Sequence, residues 1–579
     1  MHSYKSALND LFGTALSAVA GIKNSNANVI TSSRPEFGDY QVNGVMSVAK
    51  HLRTNPREVA AKVIAEVDIN EYPFIAKMEI AGPGFINVHL SDEKILARSN
   101  ALLQPESLLI EKSNEPQTVV VDYSSPNLAK EMHVGHLRGT VIGDCLARVL
   151  EKTGDKVIRQ NHVGDWGTQF GMLISYMQEV ATGKETGPKH LADLEVFYRE
   201  AKKRFDEDPD FADIARAAVV KLQSGEQEYL DAWRAFINES LTHCQAVYDT
   251  LNVTLNGEHL AAESFYNAEL STIVSELKSA NLLEESAGAK VVFLPEFTGK
   301  DGDPLPVIIQ KSDGGYLYAT TDLAAVKYRS FSLNADRALY VVDARQSLHF
   351  QQVFSVAEKA GFSSEKISLE HVAYGTMMGK DGRPFKTRSG DTIKLVELLN
   401  EAVKRAFDLV SEKNPDLDEA QRQEIAKEVG ISAVKYSDLS KNRTSDYVFD
   451  WASMLSFEGN TAPYLLYAYA RIRSIIRKSL DSQAQYSIKS CDKLEERNLL
   501  VKLLQYPEVV YAVAGDSYPN LLCNYLYELA GLFMRFYEAC PILKEDASIR
   551  DSRLAMCVLA ADTLKQGLDL LGINTLEQM

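Results

Sequence analysis

The sequence predicts an α/β nucleotide-binding domain of the Rossmann-like type, with an α+β domain before it and an all-α bundle after it. Three observations predict this fold class. From residue 117 to about 395, strand patterns alternate with helical patterns, which is typical of a parallel sheet. The first 110 residues combine helical patterns with a pair of strand patterns. Beyond residue 400 the apolar periodicity is helical.

The N-terminal region is predicted to form a domain of its own, residues 1–112. Helical patterns cover Leu8–Ala20 and Pro56–Val67. Residues 76–81 and 84–90 alternate as a strand pair joined by a Gly-Pro turn. A polar stretch after this domain is the expected linker to the parallel sheet.

The first segment that indicates chemistry lies between a strand and a helix. The β-branched run 118–121 predicts a buried strand, Pro126 ends it, and a helical pattern follows His136. His133 and His136, on either side of Gly135, can direct imidazole N–H groups at one phosphate, and the helix N-terminus adds partial positive charge. Taken alone, the pattern also fits an ordinary helix start. Zinc is disfavoured because no cysteine or carboxylate lies nearby at ligand spacing.

A second segment, residues 379–390, is rich in glycine and in cations. Lys380, Arg383, Lys386 and Arg388 lie within nine positions. Such a loop can neutralise triphosphate charge as pyrophosphate leaves. A solvated basic turn is the alternative and is the commoner fate of such runs.

Together, and in this order, the two segments resemble the two ATP-handling loops of class I aminoacyl-tRNA synthetases. The text from Asp122 to Arg138, Asp-Tyr-Ser-Ser-Pro-Asn through His-Leu-Arg, is most similar to that of arginyl-tRNA synthetases. The second loop departs from the family's usual Lys-Met-Ser-Lys-Ser and reads Phe-Lys-Thr-Arg-Ser at 385–389. In the family a lysine just before the first loop is thought to compensate, and Lys130 occupies that position.

The resemblance covers nearly the full length and implies a role for each region. It makes the N-terminal domain a tRNA-elbow-binding domain and the terminal bundle an anticodon-binding domain of the DALR type. The implied boundaries are 1–112 for the elbow domain, 117–395 for the catalytic domain with a helical insertion at about 180–290, 396–450 for a connecting helical region, and 451–579 for the bundle.

The resemblance also implies the residues that handle ATP and arginine. The ATP-binding and catalytic residues are His133, Gly135, His136, Lys130, Lys380, Lys386 and Arg388. How the work is divided among Lys130, Lys386 and Arg388 stays open. The residues that match positions holding L-arginine are Ser125, Pro126, Asn127, His136, Tyr318, Asp322 and Gln346.

Two of these residues have specific roles in the arginine site. A guanidinium carries five donors and a permanent charge, so its pocket needs a carboxylate and neutral acceptors. Asp322 is expected to bind the guanidinium, and Asn127 the α-amino or carboxylate end. On the residues alone, Asp322 is more often a helix N-cap.

Four cations on one predicted helix, Arg471, Arg473, Arg477 and Lys478, are the expected tRNA contacts. A solvated helix face is the alternative. The net charge of the whole chain, 62 minus 79 or −17, argues against a nonspecific nucleic-acid binder but not against a tRNA enzyme with gathered cations.

Composition favours a cytoplasmic protein that does not enter membranes. No apolar run approaches the roughly 20 residues that span a bilayer. The six cysteines form no Cys-x-x-Cys and are expected to be reduced core thiols. The chain is expected to act as a monomer on tRNA-Arg, L-arginine and ATP, with Mg²⁺ held by ATP and no metal held by the protein.

The expected reaction is therefore ATP-dependent activation of arginine, followed by transfer to the 3′ end of tRNA-Arg. Another class I specificity is the nearest alternative. A cysteinyl enzyme would need a zinc site of cysteine and histidine, and a glutamyl pocket would need cations where Asp322 stands. A catalytically inactive tRNA-binding paralogue is a second alternative, which the intact signature residues disfavour.

Overall fold

A computed structural model describes residues 3–32, 34, 37–104, 109–182, 194–299, 302–385, 393–479 and 486–579. The chain forms two compact units, Met1–Ser113 with Leu455–Met579, and Asn114–Met454. The first unit is discontinuous in sequence, because it combines the N-terminal region with the C-terminal bundle.

The N-terminal part of the first unit is an antiparallel sheet with four helices. Its elements are α1 (Tyr4–Ala20), β1 (Val29–Thr31), β2 (Tyr40–Val42), α2 (Val45–Leu52), α3 (Pro56–Ala65), β3 (Ile75–Ala81), β4 (Phe85–Leu90) and α4 (Asp92–Leu102). The strand order is β1-β2-β4-β3. The hydroxyl of Ser3 caps α1 by accepting the N–H of Ser6 at 3.0 Å. The predicted helices and strand pair are confirmed.

The second unit carries the longest run of elements. They are β5 (Thr118–Asp122), α5 (Leu137–Thr153), β6 (Lys156–Gln160), α6 (Thr168–Ala181), α7 (Leu194–Glu207), α8 (Pro209–Gln223), α9 (Gln227–Thr250), α10 (Leu270–Ser279), β7 (Glu284–Ser286), β8 (Ala289–Thr298), β9 (Pro304–Gln310), α11 (Tyr318–Lys327), β10 (Arg337–Tyr340), α12 (Ser347–Lys359), β11 (Ser368–His371), β12 (Met377–Met378), α13 (Leu395–Lys413), α14 (Glu419–Leu439), β13 (Tyr447–Val448) and α15 (Trp451–Met454).

A parallel sheet lies at the centre of this unit, in the order β11-β10-β5-β6. Val119, Val120 and Val121 of β5 are fully buried, so the β-branched run is the central strand that it predicts. Helix α5 follows β5 and ends at Gly154, whose φ of 104° is the left-handed geometry of a helix C-cap. The Rossmann-like fold class is confirmed, and the carboxyl ends of β5, β6 and β10 share one edge.

An antiparallel sheet that no sequence pattern predicted begins at the end of the helical insertion. Helices α7 to α9 confirm the helical character of the insertion, but β7, β8 and β9 form a three-stranded antiparallel sheet. Only β7 and the start of β8 fall within the predicted bounds of about 180–290, and the rest of the sheet follows them. Its buried Val292 and Leu294 pack into the same core as α11 and α12, so the sheet depends on contacts with residues distant in the sequence.

The C-terminal part of the first unit is the predicted helical bundle. Its helices are α16 (Ala462–Lys478), α17 (Leu494–Leu504), α18 (Tyr506–Asp516), α19 (Asn520–Ala539) and α20 (Ala547–Leu570). Thr461 caps α16 by accepting the N–H of Tyr464, and Pro463 occupies the first turn, where its missing N–H costs nothing. All six cysteines of the chain are buried free thiols, as expected.

Polar contacts join the two parts of this unit. The Arg497 guanidinium on α17 donates to both carboxylate oxygens of the buried Asp39, at 2.8 and 2.9 Å, and to Asp92 at 2.7 Å. Glu508 on α18 accepts the Tyr40 hydroxyl at 2.7 Å. The N-terminal sheet and the bundle are therefore held together by charge-assisted hydrogen bonds. None of the helices in the described ranges is both long and apolar enough to cross a membrane.

Candidate active site

The loop after β5 has an uncommon backbone conformation. Ser124 and Ser125 have φ of 71° and 46°, the left-handed region that non-glycine residues rarely enter. Three hydrogen bonds hold Ser125 there: its N–H donates to Asn161 Oδ1 at 2.9 Å, its hydroxyl donates to Asp122 Oδ1 at 3.0 Å, and the N–H of His162 donates to its Oγ at 3.2 Å. Two consecutive residues in this region store strain, which the neighbouring strand ends offset.

The same loop is paired with the segment that follows β6. The N–H of Leu128 donates to the Gly164 carbonyl at 2.9 Å, and the N–H of Gly164 donates to the Pro126 carbonyl at 3.1 Å. Pro126 is buried, whereas Asn127 is exposed at the surface of the loop. The expected arginine-site residues Ser125, Pro126 and Asn127 therefore form one loop at the carboxyl edge of the sheet.

His133 and His136 form a pair that presents two N–H donors. They flank a 3₁₀ turn, Val134–His136, with ring centroids 4.0 Å apart. His133 Nδ1 accepts the N–H of Gly135 at 3.1 Å, and His136 Nδ1 accepts the N–H of His133 at 3.0 Å. Because both Nδ1 atoms accept, a neutral ring carries its proton on Nε2.

The environment keeps these two imidazoles neutral. Burial, with the nearby His133, lowers the pKa of His136 to about 3. Burial also lowers the pKa of His133, and the charge of Lys130 acts in the same direction. A Cβ on Gly135 would lie 2.8 Å from His133 Cε1, so a larger residue at this position would have to displace the His133 ring. The pair can stabilise an anion by hydrogen bonding without bearing charge itself.

The segment that follows the second loop returns to this place. The N–H of Val134 donates to the Ile393 carbonyl at 3.0 Å, and the N–H of Leu395 donates to the Met132 carbonyl at 2.9 Å. The residues shortly after the second sequence signature therefore lie beside the first signature. Lys386 and Arg388 lie outside the described residues.

The two described lysines of the signatures have partners. The ammonium of Lys130 lies 4.4 Å from the centre of the Tyr198 ring, in the helical insertion. Lys380 pairs with Asp450 at 2.5 Å between Nζ and Oδ2. Both lysine side chains are exposed, so each can exchange its present contact for a phosphate.

Asp322 lies inside a helix and not at its start. Helix α11 begins at Tyr318 after Leu317, so the N-cap alternative for Asp322 is wrong. The Nε2–H of His349 donates to Asp322 Oδ2 at 2.6 Å. Tyr318 lies one turn earlier on α11, is 62% exposed, and places its ring 4.8 Å from that of His349.

Further groups complete the surroundings of Asp322. Gln346 is exposed and ends the 3₁₀ turn Ala344–Gln346, just before the helix that carries His349. His162 donates its Nδ1–H to the Ala261 carbonyl at 2.9 Å, which leaves Nε2 as an acceptor 3.9 Å from Asp322 Oδ1. The carboxylate and the neutral acceptor that a guanidinium requires are both present.

Two acidic residues of this pocket were not predicted. Burial, together with the charges of Asp165 and Asp322, raises the pKa of Glu263 to about 7. Burial also raises the pKa of Asp165, which accepts the N–H of Ser264 at 2.9 Å. Asp165 lies in a polar stretch after a predicted strand, and this position could have indicated that it belongs to the site. Glu263 lies within the predicted insertion, and no local pattern singles it out.

The four cations expected to contact tRNA are all on α16, but they have different environments. Arg473 Nε lies 2.8 Å from Glu577 Oε2, and Arg477 Nη1 donates to the Glu577 backbone carbonyl at 2.8 Å. The Arg471 guanidinium lies 4.8 Å from the Tyr537 ring centre and donates to the Tyr467 hydroxyl at 2.8 Å. Lys478 is exposed at the end of the helix. Two of the four cations therefore also hold the segment around Glu577.

No group of three or more potential metal ligands occurs within the part of the chain that the structure describes.

Three family models match the chain. Residues 6–90 match the one described as arginyl tRNA synthetase N terminal domain. Residues 98–451 match tRNA synthetases class I (R), catalytic domain, and residues 465–579 match DALR anticodon binding domain.

Relatives and solved structures agree with these matches. An arginine–tRNA ligase from Colwellia psychrerythraea is 54% identical over 582 residues, covering 99% of this chain and 100% of that protein. One from Chromobacterium violaceum is 55% identical over 572 residues, covering 99% of each. The crystal structure of the Plasmodium falciparum arginyl-tRNA synthetase superimposes with a TM-score of 0.86 at 30% identity, and that of Thermus thermophilus with 0.81 at 27%. Both cover 100% of the two chains.

The neutral state of His136 can be tested by nuclear magnetic resonance. Because its pKa is lowered to about 3, the ¹⁵N signals of its ring should show the neutral Nε2–H form at pH 5, where an ordinary histidine with a pKa of about 6.5 is charged. The His136→Asn variant identifies its signals, and the urea-unfolded chain gives the ordinary titration. Stability linked to this ring is present above about pH 6.5 and falls as the pH drops towards 3. A charged ring at pH 5 would contradict the assignment.

Proposed function

We infer the reaction and the roles of its residues from one premise: the chain belongs to the class I arginyl-tRNA synthetase family. It is an ATP-dependent aminoacyl-tRNA ligase. It activates L-arginine with ATP to arginyl-adenylate and transfers the arginyl group to the 3′ end of tRNA-Arg. The structural observation that supports the specificity is the group of acidic residues Asp322, Glu263 and Asp165, in which the charges of Asp165 and Asp322 act on Glu263.

In the activation step the arginine carboxylate attacks the α-phosphate of ATP in line, and pyrophosphate leaves. We assign to His133 and His136 the role of Nε2–H donors to phosphate oxygens, because both Nδ1 atoms are already occupied by backbone N–H groups. Lys130, Lys380, Lys386 and Arg388 are assigned to the negative charge of the leaving group. Mg²⁺ would arrive on the ATP phosphates.

In the amino-acid pocket, Asp322 is assigned to the guanidinium, with His162 Nε2 as a neutral acceptor and Tyr318 as an aromatic face. Glu263 adds a second carboxylate to the same place, which suits a cationic side chain and opposes an anionic one. Asn127 is assigned to the α-amino or carboxylate end. A glutamyl specificity is disfavoured by this concentration of acids.

The remaining parts of the chain are assigned to tRNA. We propose that residues 1–112 bind the tRNA elbow and that residues 451–579 bind the anticodon, with 117–395 as the catalytic domain and 396–450 as the connection. Arg471, Arg473, Arg477 and Lys478 are the proposed contacts in the bundle. A cytoplasmic monomer is also proposed; the six buried free thiols suit a reducing compartment.

Asp322→Asn tests the arginine pocket. The change keeps the size of the side chain but removes the charge that meets the guanidinium, and charge-assisted hydrogen bonds contribute about 1.5–3 kcal/mol. The KM for arginine in aminoacylation should rise roughly 10- to 100-fold, with the KM for ATP little changed. Asp336→Asn is the matched control, because Asp336 pairs with Lys366 just before β10, at the opposite edge of the same sheet. Equal damage to both KM values would contradict the pocket.

The pH dependence of arginine binding tests Glu263. Since the pKa of Glu263 is raised to about 7, the group is partly protonated near neutral pH, and a bound guanidinium must displace that proton. The KM for arginine should therefore rise up to about tenfold as the pH falls from 7 to 6, and level off above 7. Glu263→Gln should flatten this dependence. A variant that keeps the full slope would contradict the role of Glu263 and direct the next test to Asp165, whose pKa is also raised by burial.

A salt series tests the cations of α16. The double variant Arg473→Glu/Arg477→Glu should weaken tRNA-Arg binding and flatten its log–log salt dependence by about one to two units, because each phosphate contact releases counterions. Glu577→Gln is the control, since it removes the carboxylate that pairs with Arg473 and keeps the charge of both arginines. An unchanged slope in the double variant would assign these arginines to holding Glu577 and leave Arg471 as the cation to test.

A further inference from the structure

Arg329 is a buried arginine to which the reaction described above assigns no role. It lies in a single π-helical turn, Tyr328–Ser332, that continues α11. Its side chain is 1% exposed and is among the largest fully buried side chains described. A π turn inside a helix is uncommon and often marks a functional position. A charge buried this deeply needs partners, and these partners define its role.

The partners of Arg329 are the last residues of three neighbouring strands. Its Nη2 donates to Asp122 Oδ2 at 2.7 Å, at the end of β5. Its Nε donates to Gln160 Oε1 at 2.7 Å, at the end of β6. Its guanidinium carbon lies 4.6 Å from the ring centre of Tyr340, at the end of β10. One planar group therefore fixes the edge of the sheet where the reaction takes place.

From this edge the contacts continue to the strained loop. The second oxygen of Asp122 accepts the hydroxyl of Ser125 at 3.0 Å. Gln160 precedes Asn161, whose side-chain oxygen accepts the N–H of Ser125 at 2.9 Å. The guanidinium is therefore connected to Ser125 by two routes, one through Asp122 and one through Gln160 and the adjacent Asn161. A left-handed serine holds its conformation only while such contacts determine it.

Arg329 also anchors the helix that forms the other wall of the arginine pocket. Asp322 and Tyr318 lie on α11, and Arg329 follows at its C-terminal end. The guanidinium joins this helix to β5 and β6. The distance across the pocket, from the Ser125 loop to Asp322, is therefore set through Arg329.

We propose that Arg329 is a positioning residue for arginine: it holds Asp122 and Gln160 and so sets the Ser125 loop against α11. The proposal rests on the arginine site assigned above. A lysine cannot replace Arg329, because an ammonium lacks the rigid fork that reaches a carboxylate and an amide at fixed angles.

The test is Arg329→Lys, measured by aminoacylation kinetics. The KM for arginine should rise about tenfold, whereas the KM for ATP should stay within about twofold. The matched control is Arg553→Lys, which alters another buried arginine, paired with Glu496 at 2.8 Å in the bundle. The control should lower the thermal unfolding midpoint comparably and leave the KM for arginine unchanged. Equal rises in both KM values for Arg329→Lys would reduce Arg329 to a structural residue.

A double variant separates positioning from a general loss of stability. Ser125→Ala alone should also raise the KM for arginine about tenfold. If Arg329 acts through Ser125, the pair Ser125→Ala/Arg329→Lys should raise it no more than the larger single change. A multiplicative, roughly hundredfold rise would overturn the proposal.

Two further measurements test the positioning role of Arg329. If Arg329→Lys does not fold, Gln160→Met removes only the amide arm of the fork and should raise the KM for arginine about threefold. No rise in that variant would overturn the proposal. If Asp322→Asn raises the KM for arginine and Arg329→Lys does not, the arginine pocket stands and the positioning role of Arg329 fails.

Discussion

One buried guanidinium connects three neighbouring strands of the parallel sheet in the catalytic domain. Parallel strands end at a common edge, so the polar groups that follow them meet there. Asp122 would be costly if buried alone at that edge, and Arg329 both neutralises it and binds Gln160. The loop that carries Ser125 starts from this edge, and the helix that carries Asp322 is joined to the edge by Arg329, just after its C-terminal end. The ion pair of Arg329 with Asp122 therefore sets the width of the pocket between the Ser125 loop and the Asp322 helix.

The two ends of the proposed site differ in their charged groups: one presents neutral hydrogen-bond donors and the other presents carboxylates. The end that we propose for phosphate presents neutral donors, because burial lowers the pKa of His136 to about 3. The end that we propose for the amino-acid side chain concentrates carboxylates, to the point that the pKa of Glu263 rises to about 7. Arginine with ATP is a substrate pair with opposite charges at its two ends, and this arrangement matches that polarity.

How far the site could be predicted depended on how local its signals are. His133 and His136 were predictable because a glycine between two histidines at a strand–helix junction is encoded within four residues. Arg329 was not, since its partner Asp122 lies 207 positions away and no periodicity records such a pair. Glu263 was not predicted for the same reason, because the acids that act on it, Asp165 and Asp322, are distant in the sequence. Asp322 was found by resemblance, while propensity alone favoured an N-cap, because residue type does not show where helix α11 begins.

The discontinuous first unit has a consequence for biosynthesis. Between its two parts the ribosome must make 454 minus 113, or 341, residues. At about 5–20 residues per second this interval lasts roughly 17–70 s. During that time Asp39 and Tyr40 have emerged, but Arg497 and Glu508 do not yet exist. In the nascent N-terminal part, Asp39 and Tyr40 are therefore exposed to water during this interval. The order of translation determines when they can pair with the bundle.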